Sequence, residues 1–302
     1  MSAREPRGEE LIRRYKGNYA IADGETVTEE MILAHWELEK ALTRELLASA
    51  PANRRDTFER CYSRLYAHCE WLNRLTGTRD RVAPAATPAV KYSLWAREIG
   101  KPPKRIYEVG SGRGELITHL ASLGHDCTAT EITSERGERF TTSTPRLRWE
   151  LTDGVHLDKY AGSTEYDVVV SDQVIEHLHP DDLSAHFEAA ARILRKGGVY
   201  LLGTPHRYFG PCDISRVFGT AQPMGMHLRE YTFGDLFARM RAAGFAKPRI
   251  PLEPSSLSGF LYRCLFPFSP TAGYRSAHRM VEGVVSLLPG QTQRRTAWCA
   301  AG

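Results

Sequence analysis

The sequence predicts an α/β protein: a doubly wound, mainly parallel sheet of seven strands with a helical cap on its N-terminal side. Three observations predict it. Short apolar runs alternate with helical patterns between about residues 88 and 254. One run, Val168-Val169-Val170, is continuously apolar, as a strand buried on both faces must be. A glycine-rich turn joins the first run to the first helix of this region. The chain has 302 residues, and its 42% apolar and 25% charged content excludes wholesale disorder and fibrous repeats.

The segment 1–82 reads as helical. Met1 to Tyr15 carries acids and arginines without an apolar core, so it is not a signal peptide. Thr26 and Glu29 have capping-box spacing ahead of Leu38, Leu42 and Leu46, which recur every four residues. After Ala50-Pro51, a second amphipathic helix places Phe58, Tyr62, Leu65, Cys69 and Leu72 on one stripe, with Tyr62, Tyr66 and Trp71 making it aromatic. Breakers between Thr78 and Pro88 put a domain boundary there.

The core is expected over 83–254. Arg105–Val109 is the first strand and Glu115–Ser122 the helix after it. Asp126–Glu131, Leu147–Leu151 and Tyr166–Ser171 follow as strands. Asp182–Leu194 is an amphipathic helix stopped by Lys196-Gly197-Gly198, and Val199–Gly203 is the fifth strand. Phe245–Leu252 supplies a sixth strand and Thr296–Gly302 a short seventh, within a C-terminal segment 255–302 expected to cover one side of the core.

Composition narrows the partners. The net charge of +4 is small, dispersed and mostly arginine, the signature of a GC-rich bacterial genome more than of a phosphate-binding face, so no nucleic acid is expected. Six cysteines without a Cys-x-x-Cys pair point to isolated thiols in a reducing cytoplasm, with neither zinc spacing nor a disulfide framework. The most apolar late stretch, Leu257 to Phe268, holds Arg263 and Pro267 and is too short to span a bilayer.

The chemistry starts at Glu108-Val109-Gly110-Ser111-Gly112-Arg113-Gly114-Glu115. Glycines at a strand-to-helix turn let the backbone approach a ligand that then faces a helix N-terminus. The nicotinamide fingerprint G-x-G-x-x-G fails, because Glu115 stands where its third glycine belongs. An unpaired carboxylate at the end of a buried strand is costly, so Glu108 asks for a cationic ligand end. Glu131 also ends a strand, at the edge where ligands bind in this architecture. Asp153 has a structural alternative, closing a turn with Gly154.

Glu108 to Gly114 resembles the first motif, E/D-x-G-x-G-x-G, of class I S-adenosylmethionine-dependent methyltransferases. The resemblance extends through Tyr166–Asp172 with Gln173–Leu178, through Leu194–Gly198 with Gly203-Thr204-Pro205, and through His227–Thr232 of the small-molecule, ubiquinone-biosynthesis-like group. It implies a Rossmann-like core and S-adenosylmethionine as cofactor, held by Glu108, Gly110, Ser111, Gly112, Gly114, Glu131, Ile132, Asp153, Gly154, Asp172 and Gln173. It implies methyl transfer to a hydroxyl or amine of a small acceptor, with a macromolecular acceptor, RNA or protein, as the alternative.

Methyl transfer to a hydroxyl benefits from a general base. His177, past the fourth strand, leads, with His206 and His227 next; His35, His68, His179 and His186 read as surface or packing residues. No metal site is expected. Tyr15 and Tyr19 are expected to form a lid, with Tyr62, Tyr66, Tyr208 and Phe260 lining a partly apolar or aromatic acceptor pocket. The two N-terminal helices are alternatively a homodimer surface.

Overall fold

A computed structural model describes residues 5–77, 87–134, 143–162, 165–246, 248–249 and 297–301 of the 302-residue chain. The chain divides into two units. A helical unit comprises Met1–Thr87 and Gly210–Glu230, and a sheet unit comprises Pro88–Phe209 and Tyr231–Gly302.

In the helical unit, α1 (Gly8–Tyr19), α2 (Glu29–Leu47), α3 (Arg54–His68) and α4 (Glu70–Gly77) follow one another. The α2 cap is Thr28, whose hydroxyl accepts the Met31 N–H at 3.2 Å, in place of the expected Thr26. Glu29 accepts the Gly8 N–H instead of closing a capping box. The stripe α2 buries is Ile32, His35, Trp36, Glu39, Leu42, Thr43 and Leu46, so polar groups interrupt an apolar face. Trp36 stacks on Phe218 at 4.7 Å between ring centroids. The single helix expected over 58–72 is two, because the chain leaves the helix at Cys69.

The excursion Gly210–Glu230, which lies inside the expected core 83–254, groups with the N-terminal helices. Buried Glu230 ties it: its Oε1 accepts the Cys212 N–H at 2.6 Å and meets His227 Nδ1 at 2.9 Å. A Cβ at Gly210 would stand 1.7 Å from Glu230 Oε2, so only glycine leaves room for the carboxylate. Thr43 on α2 accepts the Met226 N–H at 2.8 Å.

In the sheet unit, β1 (Arg105–Val109), β2 (Asp126–Glu131), β3 (Leu147–Leu151), β4 (Tyr166–Asp172) and β5 (Leu194–Thr204) run parallel in the order β3-β2-β1-β4-β5. A sixth strand, β6 (Ala297–Ala301), pairs antiparallel with β5. Six strands are therefore seen among the described residues, not seven. Residues 250–252 of the expected strand Phe245–Leu252, and the whole of Ser255–Phe268, lie outside the described residues.

The valine run behaves as its composition requires. Val169 joins Tyr107, Tyr200 and Leu202 in one core, and Val168 and Val170 join Ile106 and Leu201 in the other. Each fully buried valine contributes roughly 1.5–3 kcal/mol. The first core is covered by α8 (Leu183–Ile193) and α9 (Phe233–Ala242), with the short α7 (Leu157–Ala161); the second by α5 (Ser93–Ile99) and α6 (Glu115–Ser122). Helices on both faces make the sheet doubly wound. Lys196-Gly197-Gly198, expected to precede the fifth strand, lies inside β5 as an irregularity, since the β4–β5 register shifts between Tyr166 and Val168. Thr232 opens α9 with a complete capping box to Asp235.

Candidate active site

The switch point of the sheet lies between β1 and β4, where the strand order reverses and ligands bind beyond the strand C-termini. β1 places buried Glu108 there, one residue before its end, and Gly110, Gly112 and Gly114 each take positive φ in the turn into α6. Gly110 has no alternative, because a Cβ would meet the Val174 side chain at 2.7 Å. At Gly112 a Cβ meets nothing within 4 Å, so the turn leaves a cradle that a side chain would fill.

Glu108 Oε2 is buried with no hydrogen-bond partner among the described residues. Burial pushes its carboxyl up to about 8; the Ser111 hydrogen bond opposes this, and the nearby charges of Asp172 and Glu131 add to it. Asp172, at the end of β4, is likewise raised by burial, to about 6. Acids so disfavoured gain most from a cation placed among them.

Glu131 ends β2, and its Oε1 accepts the Gly112 N–H at 2.6 Å while Oε2 accepts the Ile132 N–H at 3.2 Å. It thus holds the glycine turn to the end of the neighbouring strand. The Ser111 hydroxyl accepts the Thr130 N–H at 3.0 Å, and the Ser111 N–H donates to the Thr130 carbonyl at 2.8 Å. These bonds tie Ser111 and Gly112 to Thr130 and Glu131, and the Thr130 hydroxyl donates to the Glu108 carbonyl at 2.6 Å.

Asp153 has local partners. Its Oδ1 accepts the Val155 and His156 N–H groups at 2.8 and 2.7 Å, and its Oδ2 meets His156 Nδ1 at 2.8 Å. Together with Gly154, at φ +70°, it closes the turn before α7. Gln173 follows Asp172 in the left-handed region, at φ 59°, with its N–H on the Gly203 carbonyl at 2.7 Å. Such a conformation costs about 1–3 kcal/mol and clusters at ligand sites. His177 ends the short 3-10 turn Ile175–His177 and is half-buried, beside Glu176, whose Oε2 accepts the Thr204 hydroxyl at 2.9 Å.

Two of the other candidate bases are packed residues. His206, expected in an open loop, is fully buried, with its ring 4.7 Å from Phe233 and its Nδ1 accepting the Tyr208 N–H at 3.2 Å. His227 belongs to the helical unit and pairs with Glu230. His186 is a packing residue, as expected: Nδ1 donates to the Gly154 carbonyl and Nε2 accepts from Tyr200, both at 2.6 Å. His179 is buried as well, in keeping with the packing reading.

Among the acceptor candidates, Tyr15 is fully buried on α1, and its hydroxyl meets His35 Nδ1 at 2.7 Å, so it is no mobile lid. Tyr19 packs on it at 4.6 Å. Tyr62 and Tyr66 form a separate half-buried pair on α3, 5.7 Å apart. Tyr208 is exposed in the sheet unit, and Phe260 lies outside the described residues. The sequence reading missed Glu39, Asp213 and Glu230, all buried in the helical unit. For Glu39 and its neighbour His35 a signal existed: they sit four residues apart on the apolar stripe of α2, where charged groups have no place without partners.

Residues 79–247 match the family described as a methyltransferase domain. A probable S-adenosylmethionine-dependent methyltransferase of Mycolicibacterium smegmatis is 40% identical over 147 residues, 46% of this chain and 51% of that one. A ubiquinone biosynthesis O-methyltransferase of Xanthomonas campestris is 30% identical over 127 residues, 39% of this chain and 50% of that one. The chain thus spans about half the length of these curated relatives. A crystal structure of Burkholderia thailandensis 1,6-didemethyltoxoflavin-N1-methyltransferase is similar with a TM-score of 0.49 and 16% identity, over 84% of this chain and 90% of that one. With its motifs in register and more than half its length matched, the chain belongs to the class I S-adenosylmethionine-dependent methyltransferases.

Proposed function

We propose that this chain transfers a methyl group from S-adenosylmethionine to a hydroxyl or amine of a small, partly apolar acceptor in a biosynthetic route. The observation that carries the reading is Glu108: a buried carboxyl with an unsatisfied oxygen beside a glycine cradle, in a family whose donor is cationic. When bound, S-adenosylmethionine supplies an electrophilic methyl group on a sulfonium. Glu108 and Asp172 would face its cationic groups, the Gly110–Gly114 turn would take its backbone-like end, and Glu131 would accept from its hydroxyls. Asp153 and Gly154 would border its base.

The protein's task is then alignment and exclusion of water, which can lower such a barrier by roughly 7–11 kcal/mol. His177 is the group proposed to take the proton from an acceptor hydroxyl, since His206 is packed in a core. The small-molecule reading is supported by the Xanthomonas relative, whose name places it in ubiquinone biosynthesis.

Calorimetry with S-adenosylhomocysteine, using a nicotinamide dinucleotide as control, tests the donor. Binding of the first and not the second is expected, and the reverse overturns the reading. His177→Ala is expected to lower turnover with unchanged donor affinity and to remove a pH–rate limb in the histidine range. Unchanged turnover and pH profile would make His177 structural.

A further inference from the structure

His186 is a buried titratable group that the proposed chemistry leaves unused. It lies within the sheet unit on α8, whose buried face otherwise consists of Leu183, Phe187, Ala189, Ala190 and Ile193. An apolar side chain would pack there without the cost of burying an imidazole. What the imidazole adds is a chain of hydrogen bonds: Nδ1 to the Gly154 carbonyl at 2.6 Å, Nε2 to the Tyr200 hydroxyl at 2.6 Å, and that hydroxyl to Ser171 Oγ at 2.9 Å. A carbonyl only accepts, so Nδ1 carries the ring's proton. Burial lowers the ring to about 4, against the opposing Gly154 bond and Asp153 charge. The neutral ring therefore accepts at Nε2 from Tyr200, and Tyr200 accepts from Ser171. Both ring nitrogens are thus engaged, and every bond in the chain has one direction.

The chain ends on the turn that carries Asp153, and that turn hangs between two supports. Towards β2, the Thr152 N–H donates to the Glu131 carbonyl at 2.9 Å, and the Gly154 N–H donates to the Thr152 hydroxyl at 3.1 Å. Towards α8, His186 holds the Gly154 carbonyl. Gly154, at φ +70°, is the residue of this turn whose backbone is least restrained by its own side chain, and the imidazole attaches there. Asp153 itself is held from one side by the Val155 and His156 N–H groups, so its carboxylate moves with the turn.

We propose that His186 is a positioning residue for the donor's base: by fixing the Gly154 carbonyl, it sets where the Asp153 carboxylate stands, and so how well the site prefers an amino-bearing purine to an oxo-bearing one. The assignment rests on the methyltransferase reading, in which the Asp153–Gly154 turn borders that base. A carboxylate accepts from an amino group and repels a carbonyl oxygen, and both effects depend on distance and angle. His186 acts through the turn and touches no donor atom. The Nδ1 bond carries this role, whereas the Nε2 bond to Tyr200 holds the ring in the core.

The test is calorimetry on the full chain with S-adenosylhomocysteine and with S-inosylhomocysteine, its counterpart bearing an oxo group in place of the purine amino group. The wild type should prefer the first by about tenfold or more. Two amide variants then separate the two ring nitrogens. His186→Asn keeps a donor at the Nδ1 position and gives up Tyr200; His186→Gln keeps a group at the Nε2 position and gives up Gly154. Each loses one bond, so both should melt below wild type. His186→Asn should keep the preference to within about twofold, and His186→Gln should lose about fivefold or more of it, chiefly by weaker S-adenosylhomocysteine binding. Equal loss in both variants, or an undiminished preference in a folded His186→Gln, makes His186 merely structural and overturns the assignment. If His186→Gln does not fold, the wild type decides. Exchange of the His186 Nδ1 proton, followed by nitrogen-15 histidine resonances, must then be slower with S-adenosylhomocysteine bound than with S-inosylhomocysteine at equal saturation; equal rates overturn the assignment. Binding of neither nucleoside by the wild type is a different failure, that of the methyltransferase reading itself.

Discussion

Replacing Glu108 by glutamine removes an ionisable group that burial keeps protonated and that the donor is expected to ionise. The Glu108 carboxyl is raised from 4.5 to about 8, chiefly by burial. Between those values the folded state keeps a proton that the unfolded chain has lost, so the folded state binds more protons. Stability from this group therefore falls as pH rises from 4.5 towards 8, and it is constant above. At about 1.36 kcal/mol per pKa unit the full displacement corresponds to about 5 kcal/mol, of which about 3–4 kcal/mol falls between pH 5 and pH 8. Glu108→Gln keeps the shape and cannot ionise. Urea unfolding of both proteins at the two pH values should show the wild type losing that much more stability than the variant. A cation beside Glu108 reverses the preference, so donor binding to the wild type at pH 7 should release about 0.9 proton, read as the dependence of calorimetric heat on buffer ionisation enthalpy. The variant should release none and bind at least tenfold more weakly. Parallel stability–pH curves, or equal proton release by both proteins, would refute the reasoning.

Three other perturbations follow from the same geometry. Glu131→Ala strips the acceptor from the Gly112 and Ile132 N–H groups, and hydrogen bonds to a charged acceptor are each worth about 1.5–3 kcal/mol; S-adenosylhomocysteine affinity should fall more than tenfold, and an unchanged affinity would remove Glu131 from the donor site. His186, fully buried, is lowered by burial to about 4, so stability it contributes as a neutral ring is present above the unfolded value of 6.5 and lost as pH falls towards 4. His186→Asn should flatten acid unfolding over that window by about 3 kcal/mol, and an unflattened curve would contradict the buried neutral ring. Gly210→Ala should destabilise the helical unit, because its Cβ would stand 1.7 Å from Glu230 Oε2; a thermal midpoint equal to wild type would show that the carboxylate has another place to go.

The strands and the donor cradle were legible in the sequence because local chemistry decides them. β1 to β4 have the expected limits to within a residue, since a buried parallel strand writes itself as an apolar run whatever lies beside it. The turn after β1 was equally legible. Positive φ at Gly110, Gly112 and Gly114 needs glycine, and Glu108 at a strand end needs a ligand. The Thr232–Asp235 capping box that opens α9 went unread, although its partners stand only three residues apart.

Long-range pairing decided the rest. That Gly210–Glu230 groups with the N-terminal helices is invisible in local pattern, because Glu230 meets Cys212 across 18 residues and Met226 meets Thr43 across 183. His206 sits in the same kind of loop as His177, yet the Phe233 ring buries one and not the other. Asp153 carries the same carboxylate as Glu131, and only the fold gives the first to a local turn and the second to the glycine loop. A side chain's type fixes what it can do, whereas its burial and partners, set by residues far away in the chain, fix whether it is free to do it.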